Sequence, residues 1–489
     1  MDNGYTMSCV AIHDPIAFCI TNSSKGLLSV HYIAYFADMV ATVLGVAAIF
    51  WMAKKGILPS GLRPGRDMPF WIFLLGAGIL AAFVFLNVRL SCPPEAWDFT
   101  HAYYLAGEAV LRNDHAMLHG LIGKGTSGFV NIPVFAYLLA PFAFLTPSVA
   151  TVLLTVVGIG LTVVAWFLLV RLTQLELRER WLLAWLFLVN GPLIHAVKLG
   201  NLSYFILVAL AGGLVLLRGG RALSAGALLG LAAVVKPPLA LFGFFFLFRR
   251  DWRGLFGFAS VGVVTILLSL AVFGMPDNLY WFETAILQYS HSWLAAFNVQ
   301  SVPAFILRLH DDARLSDWLD SQLPTSEQKL VAQIVTILIL FVAAAACLRR
   351  PGIIADQATA NERRDLQYLL VICLCLVSSP LTWSHYYLWL LMPTAFFLSG
   401  RSLALSTSSA RWVGWTAIAL VTPIIDLPWS FSNPFLMTMY RSIFLSHLLF
   451  GGLLWFGLIA WGLSRSGGFL SQSGWRNPFY AFSRKALTD

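Results

Sequence analysis

The stretch PSVATVLLTVVGIGLTVVAWFLLV, residues 147–170, decides the fold class. It contains no charged side chain, and it exceeds the roughly 20 apolar residues that a helix needs to cross the hydrocarbon core of a bilayer. A segment in lipid must satisfy its backbone hydrogen bonds internally, which a helix does. The stretch therefore predicts a transmembrane α-helix.

Similar apolar runs recur along the chain, so we predict an all-α polytopic integral membrane protein with about 12–14 transmembrane helices. Hydrophobic residues make up 58% of the 489 residues and charged residues only 11%, whereas soluble domains carry about 25% charged residues. Segment 129–145 is apolar but interrupted by Pro133 and Pro141, which predicts a re-entrant or surface-lying segment. The predicted spans lie near residues 30–52, 69–90, 147–170, 181–197, 202–217, 222–235, 237–248, 255–273, 331–347, 366–378, 386–399, 411–425 and 440–463.

The distribution of basic residues orients the chain. With the N-terminus outside, the alternating loops place 22 of the 32 Lys and Arg residues on the cytoplasmic side, in accord with the positive-inside rule. Topology thus explains the net charge of +9 without a nucleic-acid partner, and the C-terminus is predicted to be cytoplasmic. The first 28 residues lack the pattern of a signal peptide. Cys9, Cys19 and Cys92 would share the outer side, where a disulfide among them stays open; no cysteine spacing indicates a metal site.

The same topology places four polar-rich stretches together on the non-cytoplasmic face. Bland loops would scatter polar groups, so their convergence predicts a functional site there. A transporter more often binds its substrate near the midplane between repeated halves, and no internal repeat is evident. The stretches are EAWDFTHAYY (95–104), HAVKLGNLS (195–203), YSHSWLAAFNVQS (289–301) and SSPLTWSHYYLW (378–389).

The first of these stretches offers a candidate catalytic base. Pro93 and Pro94 suit the start of a helix, which would place Glu95, Asp98 and His101 on one face. The helix dipole favours the ionised form of Asp98 in the first turn, and a carboxylate can accept the proton of a sugar hydroxyl. Alternatively, Asp98 only caps and charges a surface helix.

The other stretches, and one apolar run, offer candidate binding groups. Lys236 in GLAAVVKPPLALF lies at membrane depth, where an ionisable residue suggests function, and its ammonium could bind a phosphate; it could also snorkel to the interface. His385 lies among aromatic residues that could form an interface belt. The amides of Asn201, Asn298 and Gln300 could bind sugar hydroxyls or cap helices, and Lys198 is a further cation on this face.

The order of these elements resembles glycosyltransferase family 87 over about residues 69–400. The elements are Asp98 with Tyr103, Tyr104, Ala106 and Gly107, then FVNIPVFAYLLAPFAFL, GNLSYFILVAL, LAAVVKPPLALF followed by RRDWR, NVQS at 298–301, and SPLTWSHYY at 379–387. The chain departs from the family pattern at three positions: Asn201 replaces a glutamine, Ser384 replaces an aspartate, and Tyr386 replaces a second histidine.

The resemblance implies the C-type glycosyltransferase architecture, with a non-cytoplasmic loop that carries the catalytic Asp98. It implies an inverting hexosyltransferase of a bacterial plasma membrane, with mannose the favoured sugar. The donor would be a polyprenyl-phosphate sugar and the acceptor a hydroxyl of a glycolipid or cell-envelope glycan. No metal or cofactor is required. Residues 1–68 would be an N-terminal extension with an extra helix, 69–400 the transferase core, and 401–489 the C-terminal helices and basic tail.

Site roles follow from the same resemblance. Asp98 would be the base, and Lys236 would meet the charge on the departing phosphate. His385 would share that role or steady the acceptor. The other residues predicted to bind substrate are Tyr104, His101, Asn201, Asn298, Gln300 and Lys198.

Two other functions stay open. A lipid-linked saccharide flippase or transporter would also need a lipid-facing groove with cations, but it would tolerate Asp98→Asn. A ligase that moves a whole glycan from a polyprenyl diphosphate would favour clustered arginines on the outer face, whereas the outer cations here are mostly isolated.

Overall fold

A computed structural model describes residues 96–310, 312–316, 318, 322–348, 357–402, 405, 407–423 and 431–465. Several sequence predictions therefore lie outside the described residues. These are the spans at 30–52 and 69–90, the N-terminal region 1–68, Glu95, the three cysteines at 9, 19 and 92, and the basic tail beyond residue 465.

The described chain is built from helices. The α-helices are α1 (Tyr104–Leu111), α2 (His115–Gly123), α3 (Ala136–Leu139), α4 (Pro147–Thr173), α5 (Leu177–Leu188), α6 (Gly191–Leu199), α7 (Ser203–Arg218), α8 (Ala222–Val235), α9 (Phe242–Phe248), α10 (Trp252–Trp281), α11 (Gln288–His291), α12 (Val302–Arg308), α13 (Ser326–Leu348), α14 (Gln357–Val377), α15 (Leu391–Leu398), α16 (Ser408–Val421), α17 (Pro434–Met439) and α18 (His447–Arg465). Short 3₁₀ turns cover Gly125–Ser127, Pro133–Phe135, Ala140–Phe144, Pro237–Leu241 and Ser384–Leu390, and π-helical turns cover Phe99–Tyr103, Phe282–Leu287 and Tyr440–Phe444. Extended pairing among the described residues is limited to isolated bridges, Trp293 with Gln322 and Val299 with Trp383.

Among the residues that the structure describes, four helices are long and apolar enough to cross a membrane: Pro147–Thr173, Trp252–Leu287, Ser326–Leu348 and His447–Arg465. The stretch at 147–170 is thus a helix as predicted, and the all-α membrane class is confirmed. The predicted span at 181–197 is instead a pair of helices, α5 and α6, bent by 47°. Asn190 causes the break, because its side chain accepts the Leu193 N–H and caps the start of α6 ahead of Pro192.

The helical hairpin of α7 and α8 carries two predicted site residues to one end of the fold. Asn201 lies just before α7, whose 16 residues extend about 24 Å. The chain reverses at Gly219 and Gly220, and α8 returns to end at Val235. Lys236 therefore lies at the same end as Asn201, although the two residues are distant in sequence.

Small residues pack α8 against α10 backbone to backbone. A Cβ atom on Gly226 would lie 1.9 Å from the Gly254 carbonyl oxygen, and one on Gly257 would lie 2.2 Å from that of Leu223. Within lipid, such close approach supplies the van der Waals contact that holds helices together. The pair therefore fixes the position at which α8 ends, and with it Lys236.

The opposite end of the fold gathers basic side chains that the positive-inside rule assigned to the cytoplasm. Arg218, at the end of α7, donates to the Asp365 carboxylate at 2.5 Å and to the Leu172 carbonyl. Arg249 donates to Gln367 at 2.6 Å. These contacts join the ends of α4, α7 and α9 to the middle of α14, and they lie one helix length from Asn201 and Lys236.

Candidate active site

Asp98 lies in the first turn of a helix whose hydrogen-bonding pattern changes directly after it. The residues Phe99–Tyr103 form a π-helical turn before α1 begins. Such turns widen the spacing of side chains and recur at functional sites. Tyr103 thereby interacts electrostatically with Asp98, whereas the Tyr104 hydroxyl donates to the Leu145 carbonyl at 2.9 Å. Tyr104, a predicted substrate-binding residue, is thus engaged in holding the helix, and Tyr103 is the tyrosine beside the carboxylate.

Asn201 holds the Asp98 carboxylate directly. Its amide nitrogen donates to Asp98 Oδ2 at 2.6 Å, and its amide oxygen accepts from the Ser203 backbone N–H at 3.2 Å and hydroxyl at 2.8 Å. A backbone N–H can only donate, so it fixes which way the amide points. Asn201 is therefore a positioning residue for Asp98, a role that a general affinity for sugar hydroxyls did not suggest.

Gly200 brings Asn201 within reach. It ends α6 with φ of +64°, a conformation that glycine adopts without steric cost. A Cβ atom at this position would lie 2.7 Å from the Cβ atoms of both Ala96 and Phe99. The glycine thus lets the loop approach the Asp98 helix closely enough for the amide to reach the carboxylate.

Two prolines place Lys236 at a break in the helical ladder. Pro237 and Pro238 lack N–H groups, so α8 cannot continue. The Lys236 side chain is 4% exposed, and its ammonium lies 4.6 Å from the centre of the Tyr386 ring. The ammonium also interacts electrostatically with Asp98 and with His385. A buried cation thus faces the carboxylate and the aromatic ring from the end of α8.

His385 reaches the same place from the end of α14. The turn Ser384–Leu390 is anchored because Ser384 N–H donates to the Asn298 carbonyl at 2.8 Å and Trp389 donates to the Ser203 carbonyl at 3.2 Å. His385 is buried, and neither ring nitrogen has a hydrogen-bond partner among the described residues. A buried imidazole without partners is costly, which marks this ring as a group prepared to contact a ligand.

Burial and the neighbouring charges act on Asp98 in opposite directions. Burial raises the pKa of Asp98 above its usual range, while the hydrogen bond from Asn201 and the positive charge of Lys236 lower it. The carboxyl group therefore titrates closer to neutral pH than an exposed aspartate does. Such a carboxylate is a better proton acceptor than an ordinary one, as a general base requires.

The remaining predicted site residues take other positions. His101 stacks on Trp97 at 3.7 Å, and its Nδ1 lies 2.9 Å from the Thr100 hydroxyl. The Asn298 side chain accepts from Trp318 at 2.9 Å. Gln300 is buried, and its side chain donates to the carbonyl oxygens of Phe297 and Leu445. The backbone carbonyl of Gln300 accepts from the Tyr387 hydroxyl at 2.7 Å. Lys198 is exposed on α6. The side chains of His101, Asn298 and Gln300 thus contact neighbouring protein groups, and the backbones of Asn298 and Gln300 are hydrogen-bonded to the segment before His385.

The structure also brings in residues that the predictions did not name as site residues. Tyr386 places its ring under the Lys236 ammonium and interacts electrostatically with Asp98. His195 on α6 places its ring 6.0 Å from that of His385, and its Nδ1 lies 3.1 Å from the Ser384 hydroxyl. The only sequence signal for this pairing was that His195 belongs to the polar stretch 195–203. Within the described ranges, no group of three or more His, Cys, Asp or Glu side chains could hold a metal ion.

Comparisons with known proteins agree on one family. Residues 129–380 match the model of glycosyltransferase family 87. The chain is 27% identical, over 65% of its length and 75% of the relative, to the polyprenol-phosphate-mannose-dependent alpha-(1-2)-phosphatidylinositol mannoside mannosyltransferase of Mycolicibacterium smegmatis. It is 25% identical, over 82% of its length and 90% of the relative, to the corresponding pentamannoside mannosyltransferase of that organism.

A mannosyltransferase of Mycobacterium tuberculosis with the same name as the first of these relatives is 27% identical over 74% of this chain and 85% of the relative. No solved structure matches the chain. The matched region contains Lys236, Asn201 and the start of the 378–389 stretch, whereas Asp98 precedes it.

Proposed function

The chain belongs to glycosyltransferase family 87, and on that basis we propose that it transfers mannose from a polyprenyl-phosphate mannose donor to a hydroxyl of a glycolipid. It is an integral membrane glycosyltransferase, and the relatives' names supply the donor and the lipid acceptor. The observation that carries the proposal is the juxtaposition of a positioned carboxylate, Asp98, with a buried ammonium, Lys236. We retain residues 69–400 as the transferase core.

The mechanism that these groups support is a single inverting displacement. The acceptor hydroxyl loses its proton to Asp98 as its oxygen attacks the anomeric carbon of mannose. The bond from that carbon to the phosphate oxygen breaks, and polyprenyl phosphate departs with the electron pair. Lys236 and the partnerless His385 stabilise the negative charge on the leaving phosphate, and charge fixed in a dry site lowers the barrier most effectively.

The proposal includes the side of the membrane. Asp98, Asn201, Lys236 and His385 lie at the end of the fold opposite the Arg218 and Arg249 contacts. The positive-inside rule assigns that basic end to the cytoplasm. We therefore assign the site to the non-cytoplasmic face and the C-terminus to the cytoplasm.

Removing the Asn201 amide is expected to shift the pH dependence of transfer. The hydrogen bond lowers the pKa of Asp98, so Asn201→Ala raises that pKa further. Asp98 acts when ionised, so activity is lost as the pH falls through its pKa, and the acid limb of the kcat/KM profile moves to higher pH. We expect kcat/KM to fall more on that limb than on the plateau above it. A profile with an unmoved acid limb would contradict the role of Asn201.

Transfer itself is tested with the purified full-length protein, radiolabelled polyprenyl-phosphate mannose and a total lipid extract. The expected result is a labelled glycolipid that accumulates with time. Labelled donor that crosses liposome membranes without forming a new product would instead support the flippase. No labelled product with this donor, but product with a polyprenyl-diphosphate glycan, would support the ligase.

A further inference from the structure

Asn131 has a fixed amide orientation. Its side chain is 4% exposed, and its amide nitrogen donates to the Val235 carbonyl at 2.9 Å. Since a carbonyl only accepts hydrogen bonds, the nitrogen and not the oxygen must face Val235. The amide oxygen therefore points away from Val235, is buried, and has no hydrogen-bond partner among the described residues.

Satisfying the Val235 carbonyl does not explain why a buried, unpaired amide oxygen is present. The carbonyl of Val235 is left over because the N–H of Leu239 donates to Lys236 instead, and Asn131 satisfies it. A single donor atom would satisfy that carbonyl, whereas the amide buries a second polar atom as well. A buried acceptor without a partner costs its full desolvation, so the asparagine is explained if a ligand supplies the missing donor.

The position of Asn131 indicates which ligand does so. Its anchor, Val235, directly precedes Lys236. Its neighbour Ile132 belongs to the same buried apolar cluster as Phe99 and Tyr103 of the Asp98 helix, and Val235 packs against that cluster. The amide thus links the end of α8, which carries the cation, to a segment packed against the helix that carries the base. A donor with its phosphate at Lys236 must place its sugar between the cation and the base, close to that link, because the base acts on the side of the sugar opposite the leaving group.

We propose that the amide oxygen of Asn131 accepts a hydrogen bond from a hydroxyl of the donor sugar, and so helps to determine which hexose is transferred. This inference rests on the proposed function. It adds a specificity-determining residue on the donor side, held by the end of α8.

The test uses purified full-length enzyme with polyprenyl-phosphate mannose and its 2-, 3-, 4- and 6-deoxy analogues. With wild type, one analogue is expected to lose an additional factor of about 3 to 10 in kcat/KM, the scale of one neutral hydrogen bond. In Asn131→Ser that additional loss falls below about 2-fold, because the variant lacks the amide oxygen and so makes this hydrogen bond neither to mannose nor to the deoxy analogue. Asn131→Ala, read in the same way, replaces this variant if it does not accumulate as folded protein.

Trp281→Phe is the matched control for loosening of the same segment. It removes the hydrogen bond from Trp281 to the Val130 carbonyl, which is 3.0 Å long, but leaves the Asn131 amide in place. It should keep the wild-type order of the deoxy analogues. An unchanged order in Asn131→Ser as well would overturn the inference. Failure of wild type to use any mannosyl donor would instead overturn the proposed function.

Discussion

Asp98→Asn is expected to reduce kcat/KM for mannosyl transfer by about 10²- to 10⁴-fold, the contribution of a positioned general base. The substitution keeps the size and shape of the side chain and leaves an oxygen that can accept from Asn201. It removes the group that takes the acceptor proton. Binding of the donor should be little changed, because we assign the phosphate contacts to Lys236 and His385. Initial rates with saturating acceptor, and donor binding measured in detergent, test both statements.

Glu108→Gln provides a matched control for this substitution. Glu108 is an acid on α1 of the same helical segment, and it pairs with the exposed Arg112 at 2.5 Å. An exposed pair of this kind contributes little to stability, so the variant should transfer mannose at the wild-type rate. If Asp98→Asn matched Glu108→Gln in activity, the base mechanism would be wrong and a transport function would gain support.

Lys236→Met is expected to reduce kcat by about 10²- to 10³-fold, since it removes a preorganised charge from the leaving phosphate. The methionine fills a similar volume in the buried site. The positive charge of Lys236 also lowers the pKa of Asp98, so the substitution moves the acid limb to higher pH. Rates should therefore be compared on the plateau above that limb, where Asp98 is ionised in both proteins.

Lys124→Met is the corresponding control, because Lys124 is an exposed cation after α2. It should leave kcat unchanged. A plateau kcat in Lys236→Met within about 3-fold of wild type, much less than a lost preorganised charge costs, would remove Lys236 from the transition state. A mannosyl donor whose leaving group is a weaker base than polyprenyl phosphate should also increase the rate of Lys236→Met more than that of wild type.

Local chemistry made much of the fold predictable. Only helices and closed barrels satisfy their backbone hydrogen bonds within lipid. A long uncharged run such as 147–170 therefore predicted a helix from its composition alone. Pro237 and Pro238 cannot continue a helix, so the break between the short helices α8 and α9 was predicted from the sequence. The bend between α5 and α6 was missed because the apolar run continues across Asn190, and hydropathy does not register a helix cap.

The candidate site was only partly predictable. Lys236 stood out because an ionisable group is costly at membrane depth. Asp98 stood out as a carboxylate in a polar stretch after Pro93 and Pro94, and His385 gained a role from the resemblance to the family. Asn201 and Gln300 were identified as polar groups, but their roles were not, since an amide can serve a substrate, a carboxylate or a backbone carbonyl equally well. Tyr103 and Tyr104 are adjacent, and only the π-helical turn decides which one faces Asp98.

The sequence by itself determined the membrane class, and it supplied the predicted orientation of the charges and the candidate reactive groups, because each of these depends on the solvation of single side chains or short runs. The tertiary structure alone decided that Gly200 brings Asn201 to Asp98, that α8 returns Lys236 to the same end, and that the Asn131 oxygen has no partner in the described part of the chain. Those facts depend on the reversal and close packing of helices that are distant in sequence, and no local pattern encodes the contacts that result.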